Sequence, residues 1–189
     1  MSDKPNTCCL CGESLSQYGN KKISDGILCR DCIKPASPWL DDGDYEKMSL
    51  EDFKKHLEYR EENKKAVKAF NCDKKVEGKY TLYLDEEKKA FLISKRKDYV
   101  KENADVISFD DIREISIFEE KYDDTEDVDI LFDLKLKNEQ VDNMNFRVNE
   151  FPGMEKRSPQ YDEALDLALA YLEAFEEEDG IDFEQVEGE

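Results

Sequence analysis

The fold of this chain is decided first by Cys8-Cys9-Leu10-Cys11-Gly12 and Cys29-Arg30-Asp31-Cys32, which hold two cysteine pairs. With 17 residues between the pairs, the pattern C-x2-C-x17-C-x2-C has the spacing of four-cysteine zinc sites. Two thiolates at positions i and i+3 can both turn towards one ion, so the pattern predicts one bound Zn2+. The predicted ligands are Cys8, Cys11, Cys29 and Cys32.

The segment between the pairs is typical of a tight hairpin, because Asp25-Gly26 lies between Ile23 and Ile27. The second pair then begins a short helix that ends near Pro35. These elements predict a treble-clef or zinc-ribbon lobe over residues 1–40. Four cysteines complete a tetrahedron without leaving a position for water, which favours a structural zinc over a catalytic one. The alternative interpretation is a redox dithiol or two disulfides.

Three other side chains that could bind a metal or act in catalysis are interpreted as structural. Cys9 is the spare thiol of the first pair, because Cys9 and Cys11 lie too close in sequence for the usual spacing. Cys72 is predicted to be a small buried hydrophobic residue. His56 is the one histidine of the chain, and we expect it at the surface or edge of a helix, without a catalytic role.

The chain is strongly acidic, with 28 basic and 48 acidic residues and a net charge of -20. The excess belongs to residues 76–189, which hold 14 basic and 34 acidic residues, whereas residues 1–40 carry a net charge of +1. Such a surface repels phosphate backbones and anionic lipid headgroups. A nucleic acid or a membrane is therefore disfavoured as a partner, and a protein is expected.

The sequence has no signal-peptide pattern and no apolar run near the roughly 20 residues of a membrane helix. We therefore expect a cytoplasmic protein. Thiols stay reduced in that compartment, so its six cysteines are interpreted as metal ligands rather than as a disulfide framework.

Residues 41–75 are predicted to be a connector with a bridging helix over about residues 50–69, after Ser49 as N-cap. Leu50, Phe53 and Leu57 form one apolar stripe. A second stripe follows only after the polar run 60–65, and an interrupted stripe is typical of a helix that joins two bodies. The acidic run 41–44 lacks the ligand spacing of a calcium loop and is predicted to be a solvated turn.

Residues 76–180 are predicted to form an acidic β-rich domain of the α+β class. The stretches 80–84 and 90–94 indicate a hairpin, and alternating apolar residues indicate further strands up to Val148. An amphipathic helix follows over about residues 159–178. This order predicts a pleckstrin-homology-like antiparallel β barrel closed by a C-terminal helix, and another α+β roll is the alternative. Residues 181–189 are predicted to be an acidic tail.

Several of these motifs resemble an uncharacterised bacterial and phage protein family that has an N-terminal four-cysteine zinc lobe. The Cys-x-x-Cys-Gly motif, residues 25–32, residues 57–63 and residues 82–86 carry the resemblance, and residues 105–112 are similar to strands of bacterial pleckstrin-homology-like domains. The resemblance covers most of the chain. It implies the architecture and a four-cysteine zinc site, and it implies no catalytic residue.

The function favoured by these patterns is a non-enzymatic, zinc-binding protein-interaction module of an adaptor or regulatory kind. No phosphate-binding loop, nucleophile motif or open metal site is present in the sequence. One alternative is a nucleic-acid-binding regulator, with Lys21, Lys22, Arg30 and Lys34 as a weak basic patch. The other is an acidic mimic of nucleic acid that inhibits a basic enzyme.

Overall fold

The computed structural model of the protein describes residues 6–95, 97–122 and 125–179, the last three of them as backbone only. Contacts divide the chain into two units, Met1–Lys65 and Ala66–Glu189. The boundaries predicted at residues 40 and 75 stay predictions as divisions between independently folding parts. The predicted acidic tail, residues 181–189, lies outside the described residues. Across the described ranges, no helix combines the length and apolar character needed to cross a membrane.

The first unit contains one small sheet and three helices. Strands β1 (Lys21–Ile23) and β2 (Gly26–Leu28) pair antiparallel around the Asp25-Gly26 turn, as predicted. The helices are α1 (Arg30–Ile33), α2 (Asp42–Lys47) and α3 (Leu50–Ala69). Helix α3 has the predicted bounds, and the division between the units falls within its last turn.

Helix α2 replaces the solvated turn that was predicted for residues 41–44. The carboxylate of Asp41 accepts a hydrogen bond from the backbone N–H of Asp44 at 2.9 Å, and the Asp44 carboxylate accepts one from the N–H of Asp41 at the same distance. This reciprocal pair is a capping box made by two aspartates. The acidic run therefore begins a helix, and that helix buries Tyr45.

The buried face of α3 is continuous, which corrects the predicted interruption of its apolar stripe. Phe53, His56, Arg60, Asn63 and Val67 recur at helical spacing and are all buried. His56 is completely buried rather than at the surface, and Arg60 is 2% exposed. The middle of the stripe is polar in sequence but buried in the structure.

The second unit contains two four-stranded antiparallel sheets. The first has the order β3 (Lys74–Val76), β4 (Thr81–Asp85), β5 (Ala90–Ser94) and β6 (Ile107–Ser108), with helix α4 (Tyr99–Glu102) between β5 and β6. In the second, β8 (Asp127–Leu136) pairs with β7 (Ile112–Lys121), β9 (Asn143–Arg147) and β10 (Met154–Glu155). Helix α5 (Pro159–Asp179) follows.

The prediction of an α+β domain with antiparallel strands and a final helix is confirmed, but the prediction of a closed barrel is wrong. Strand β6 is two residues long, and a 3-10 turn over Phe109–Asp111 separates it from β7. The Ser108 hydroxyl accepts a hydrogen bond from the N–H of Asp110 at 3.2 Å and so caps this turn. The turn redirects the chain, and in the described residues no ladder joins the two sheets.

The core of the second unit is aromatic. Phe91, Phe109, Phe132 and Phe175 are each at most 1% exposed. The ring centroid of Phe175 lies 5.0 Å from that of Phe91, 6.0 Å from Phe109 and 6.2 Å from Phe132. Helix α5 thus buries one ring against residues of both sheets, Phe91 on β5 and Phe132 on β8.

Candidate metal centre

The structure brings the sulfur atoms of all four predicted ligands, Cys8, Cys11, Cys29 and Cys32, within 4.8 Å of one another. The Sγ atoms of Cys8 and Cys32 are 3.8 Å apart, and those of Cys11 and Cys29 are 3.7 Å apart. With Zn–S bonds of about 2.3 Å, the sulfurs of a tetrahedral site are separated by about 3.8 Å. The cluster therefore has the dimensions of a tetrahedral four-sulfur metal site.

The first pair is held by a tight turn. The N–H of Gly12 donates to the carbonyl of Cys8 at 2.9 Å, and Gly12 adopts a φ of +77°, which favours glycine. The N–H of Cys8 donates to the carbonyl of Glu13 at 2.7 Å. These bonds turn the chain back on itself, so that both thiols of the pair are offered to one side.

The second pair enters the site from the hairpin. Strand β2 ends at Leu28, and Cys29 then precedes helix α1, in which Cys32 lies one turn later. The N–H of Cys29 donates to the Sγ of Cys8 at 3.2 Å, and the N–H of Cys32 donates to the carbonyl of Cys29 at 3.1 Å. A backbone donor aimed at sulfur stabilises a thiolate, as is needed for a metal ligand.

The electrostatics of the cluster favour a cation at its centre. Burial opposes ionisation of Cys8, but backbone N–H groups of Cys11, Cys29 and Leu10 outweigh it and lower the pKa of Cys8 to about 6. For Cys32, burial and the neighbouring thiols raise the pKa well above its ordinary value. Thiolates this close repel one another, and a bound metal ion removes that repulsion by its own charge.

The cluster is covered on one side and open on the other. Cys8 and Cys29 are buried, Cys32 is half-buried and Cys11 is exposed. A cleft of about 630 Å³ is lined in part by Cys11, Cys29 and Cys32. Two basic side chains also line this cleft. Lys34 forms an ion pair with Asp31 at 2.5 Å, whereas the methylene groups of Arg30 pack over Gly19.

Cys9 lies outside the cluster, which agrees with its interpretation as the spare thiol. Its N–H donates to the carbonyl of Ile27 at 2.9 Å. A Cβ added at Gly26 would lie 2.8 Å from both the Cβ and the Sγ of Cys9. Gly26 is therefore required by this close approach, and burial raises the pKa of the Cys9 thiol. Cys72 is exposed, so its predicted burial is wrong.

A set of hydrogen bonds that was not predicted from the sequence connects the cysteine-bearing segment to the helices after it. The carboxylate of Asp25 accepts from the N–H of Leu50, the first residue of α3, at 2.8 Å. The N–H of Ser24 donates to the carbonyl of Met48 at 2.8 Å. The hairpin turn is thus also an N-terminal acceptor for α3, a role that Asp25 fills from 25 residues away in sequence.

A second group of ties follows α1. The N–H of Ser37 donates to Nε2 of His56 at 3.0 Å, and Nε of Arg60 donates to the carbonyl of Pro35 at 2.9 Å. His56 and Arg60 lie one turn apart on α3, in line with Phe53. Their helical spacing from Phe53 could have predicted their burial from the sequence, because polar residues on the same helix face as apolar ones can be buried with them.

Comparison with known families agrees with this local picture. A family model described as a domain of unknown function, DUF4428, matches residues 7–56. No curated protein and no solved structure was found to match the chain. The predicted bacterial or phage origin and the likeness of residues 76–180 to pleckstrin-homology-like domains stay predictions. The matched stretch contains the four clustered cysteines, Asp25 and His56, so the similarity to DUF4428 extends over the candidate metal centre and the contacts that Asp25 and His56 make, but it ends before Arg60.

Proposed function

We propose that this protein is a non-enzymatic protein-interaction module, of an adaptor or regulatory kind, whose first unit is held together by one structural Zn2+. The observation that carries the zinc proposal is the sulfur geometry, since two Sγ–Sγ distances of 3.8 and 3.7 Å fit a tetrahedral four-thiolate site. The proposed ligands are Cys8, Cys11, Cys29 and Cys32. The turn, hairpin and helix that supply them support a treble-clef or zinc-ribbon fold.

The zinc ion would supply cohesion rather than chemistry. The described core of the first unit has only seven buried hydrophobic side chains, and two of these are Cys8 and Cys29 themselves. Metal binding in such a small unit provides folding free energy, because the unfolded chain has no preformed site. Four sulfur ligands fill the tetrahedron, so no coordination position remains for a substrate or an activated water.

We propose no catalytic activity for this protein. His56, the one histidine, is completely buried and accepts a hydrogen bond from the Ser37 N–H. In the described parts of the chain, the four cysteines form the single cluster of potential metal ligands. We also propose a cytoplasmic location, where the thiols of all six cysteines would stay reduced and four of them could bind the metal.

The nucleic-acid-binding alternative is weakened by ion pairs in the first unit. Lys21 pairs with Asp42, Lys22 lies 3.9 Å from Glu46, and Lys34 pairs with Asp31. Three of the four cations named for that alternative are therefore offset by a neighbouring carboxylate. The acidic-mimic alternative draws on the second unit, where residues 66–189 hold 17 basic and 35 acidic residues.

Metal analysis tests the zinc proposal directly. We expect about one Zn2+ per chain in the wild-type protein and in Cys9→Ser, and loss of the metal in Cys29→Ser/Cys32→Ser. Cys9→Ser is the matched control, because it removes a thiol beside the cluster without removing a proposed ligand. A wild-type protein that contains no metal and still has a folded first unit would contradict the proposal.

The interaction role is tested by affinity purification with mass spectrometry, comparing the wild type with the double cysteine variant. We expect one protein to be enriched reproducibly by the wild type, in amounts close to stoichiometric. Loss of that protein with the double variant would assign the contact to the first unit, and its retention would assign it to the second. The absence of any specific protein would contradict the role.

A further inference from the structure

The second unit contains a groove of about 620 Å³ that the proposed zinc site does not involve. Its floor is apolar, with Val148, Met154 and Ala164 buried and Leu167 half-buried beneath it. One wall is the start of helix α5, and the other is the loop 149–153 between β9 and β10. Its volume lies within the range of clefts that bind ligands in proteins.

The loop 149–153 is held rigidly at both ends by a buried carboxylate. Asp129 is 3% exposed, and its Oδ1 accepts from Nδ2 of Asn149 and from the N–H of Gly153, each at 2.8 Å. Nδ2 of Asn149 also donates to the carbonyl of Phe151 at 2.6 Å. A loop fixed in this way loses little entropy when a partner binds beside it.

The fixed loop presents an aromatic ring to water at the edge of the groove. The Phe151 side chain is 77% exposed, and Pro152 next to it is also exposed. The hydrogen bonds of the loop go to its backbone and to Asn149, so none of them depends on the ring. An exposed aromatic residue that borders an apolar floor forms a continuous surface that favours contact with a partner.

The charged side chains that line the groove are mostly acidic. Glu150, Glu155 and Glu163 line it and are exposed, and none of them has an ion pair within the described ranges of the chain. Lys79 is the one basic residue of the lining, and its Nζ is directed at the carbonyls of Asn149 and Glu150, 3.4 and 3.3 Å away. The rim therefore offers carboxylates to a cationic partner.

We infer that this groove binds a cationic peptide segment of a partner protein. An apolar side chain of the segment would lie on the floor formed by Val148, Met154, Ala164 and Leu167, and its basic side chains would lie at the rim glutamates. The inference rests on the proposed interaction function and names the chemistry of its partner. Phe151 would pack on the apolar side chain of the bound segment. The rim glutamates would repel an acidic segment, and a purely polar basic segment would leave the apolar floor without a contact.

Three short fluorescein-labelled synthetic peptides test the chemistry by fluorescence anisotropy with the zinc-loaded protein. One alternates lysine with leucine, one alternates lysine with serine, and one alternates glutamate with leucine. We expect the lysine–leucine peptide to bind about tenfold or more tightly than either of the others, because it alone satisfies both rim and floor. Equal binding of the lysine–serine or the glutamate–leucine peptide would overturn the inference.

Two charge-reversal variants test the place of binding. Glu155→Lys/Glu163→Lys reverses the rim, and Asp166→Lys/Glu173→Lys makes the same net change at exposed positions of α5 outside the lining. We expect the rim variant to weaken the lysine–leucine peptide about tenfold and the control variant to weaken it less than about threefold. Equal weakening by both would mean that only the general charge attracts the peptide, and the groove would be rejected.

The aromatic contribution is tested by Phe151→Ala against Phe118→Ala, which removes another exposed ring at a position outside the groove. We expect about a tenfold loss of peptide affinity for the first and no change for the second. Amide chemical shifts should also move in residues 148–155 when the lysine–leucine peptide is added. Shifts confined to other parts of the second unit would overturn the inference.

These outcomes separate the groove from the interaction function on which it rests. If the rim variant still captures the same cellular protein as the wild type, the groove inference falls and the interaction function stands. If no cellular protein is captured while the peptide binds the groove as described, the groove stands and the interaction function falls. Unchanged metal content and unfolding curves in each variant ensure that binding, and not folding, is compared.

Discussion

The two units of this chain obtain stability from different sources. The first buries few apolar side chains. Its segments are held together by clustered thiols and by side chains such as Asp25 and His56, which accept hydrogen bonds from backbone N–H groups. The second buries several times as many apolar residues, including Phe132 and Phe175, between two sheets and a helix. A unit with a small core needs a bound metal or a cross-link for stability, whereas a larger unit is stabilised by the burial of apolar side chains. One substitution should therefore unfold one unit and leave the other folded.

The largest effect is expected from removing the metal or one of its ligands. Zinc binding to small four-ligand domains is worth about 10–16 kcal/mol at neutral pH, far more than the first unit can recover from its core. Cys29→Ser, or a strong chelator added to the wild type, should therefore unfold the first unit and leave the second folded. Hydrogen–deuterium exchange should show loss of protection in β1, β2 and α2 and retained protection in β4, β5 and β8.

The matched control for this experiment is Cys72→Ser, which removes an exposed thiol of the second unit. It should change the exchange of neither unit, because Cys72 belongs to no cluster. If Cys29→Ser left the protection of the first unit intact, its small apolar core would be sufficient, and the contrast between the units would disappear.

The second-largest effect belongs to the aromatic core. Phe175→Ala removes a fully buried ring that packs on Phe91, Phe109 and Phe132, and such truncations cost about 3–5 kcal/mol. Chemical denaturation should reach the midpoint for the second unit at a lower urea concentration, while zinc content stays at the wild-type level. Phe118→Ala, at a 43% exposed position, should change stability by less than about 0.5 kcal/mol.

A loss of zinc together with the loss of stability in Phe175→Ala would mean that the first unit depends on the second for its folding. The two units would then share one cooperative transition, and their different cores would not make them separable. Retained zinc at a urea concentration that unfolds the second unit would mean that the first unit folds independently of it.

The parts of the structure that follow from local sequence were predictable. The cysteine spacing, the Asp25-Gly26 turn and the bounds of α3 depend on residues close to one another along the chain, so periodicity and turn chemistry were sufficient. The sequence likewise placed α5, because its apolar residues recur at helical spacing over 21 residues.

The parts that depend on distant partners were not predictable. Arg60 and Asn63 look solvated in sequence, yet Arg60 is buried because its Nε reaches the carbonyl of Pro35, 25 residues away. A closed barrel would need backbone pairing between the two sheets, whereas β6 ends at Ser108 and the 3-10 turn that follows is capped by the Ser108 hydroxyl. The capping box that begins α2 was not predicted, because a run of acidic residues with a glycine is typical of a solvated loop.

Asp129 provides a third test, because it brings a charged device into the unit that otherwise relies on burial. Burial opposes its ionisation, but donors from Asn149, Gly153, Tyr122 and Arg147 outweigh this and lower the pKa of Asp129. Asp129→Asn keeps the shape and removes the charge, so it should cost the second unit about 2–3 kcal/mol at neutral pH. Urea titration followed by NMR signals of β8 measures the change.

The pH dependence follows from the direction of that shift. Because the pKa is lower in the folded state, the unfolded chain binds more protons between the two pKa values, and stability rises with pH there. The contribution is complete above about pH 5 and is lost as the pH falls through the lowered folded value. The difference between wild type and Asp129→Asn should therefore shrink on acidification. A difference that is the same at both ends of the range would mean that the carboxylate charge is not the source.

The smallest effect tests whether the first unit depends on its polar ties as well as on zinc. His56→Leu keeps a side chain of similar size but removes the acceptor of the Ser37 N–H, so a buried donor is left unsatisfied at a cost of about 1–2 kcal/mol. His56→Gln retains a side-chain acceptor and should lose less. Both are measured as amide exchange of Ser37 and thermal unfolding of the zinc-loaded protein. Equal losses in the two variants would assign the role of His56 to its packing between Phe53 and Tyr59, and the first unit would then resemble the second in relying on buried aromatic contacts.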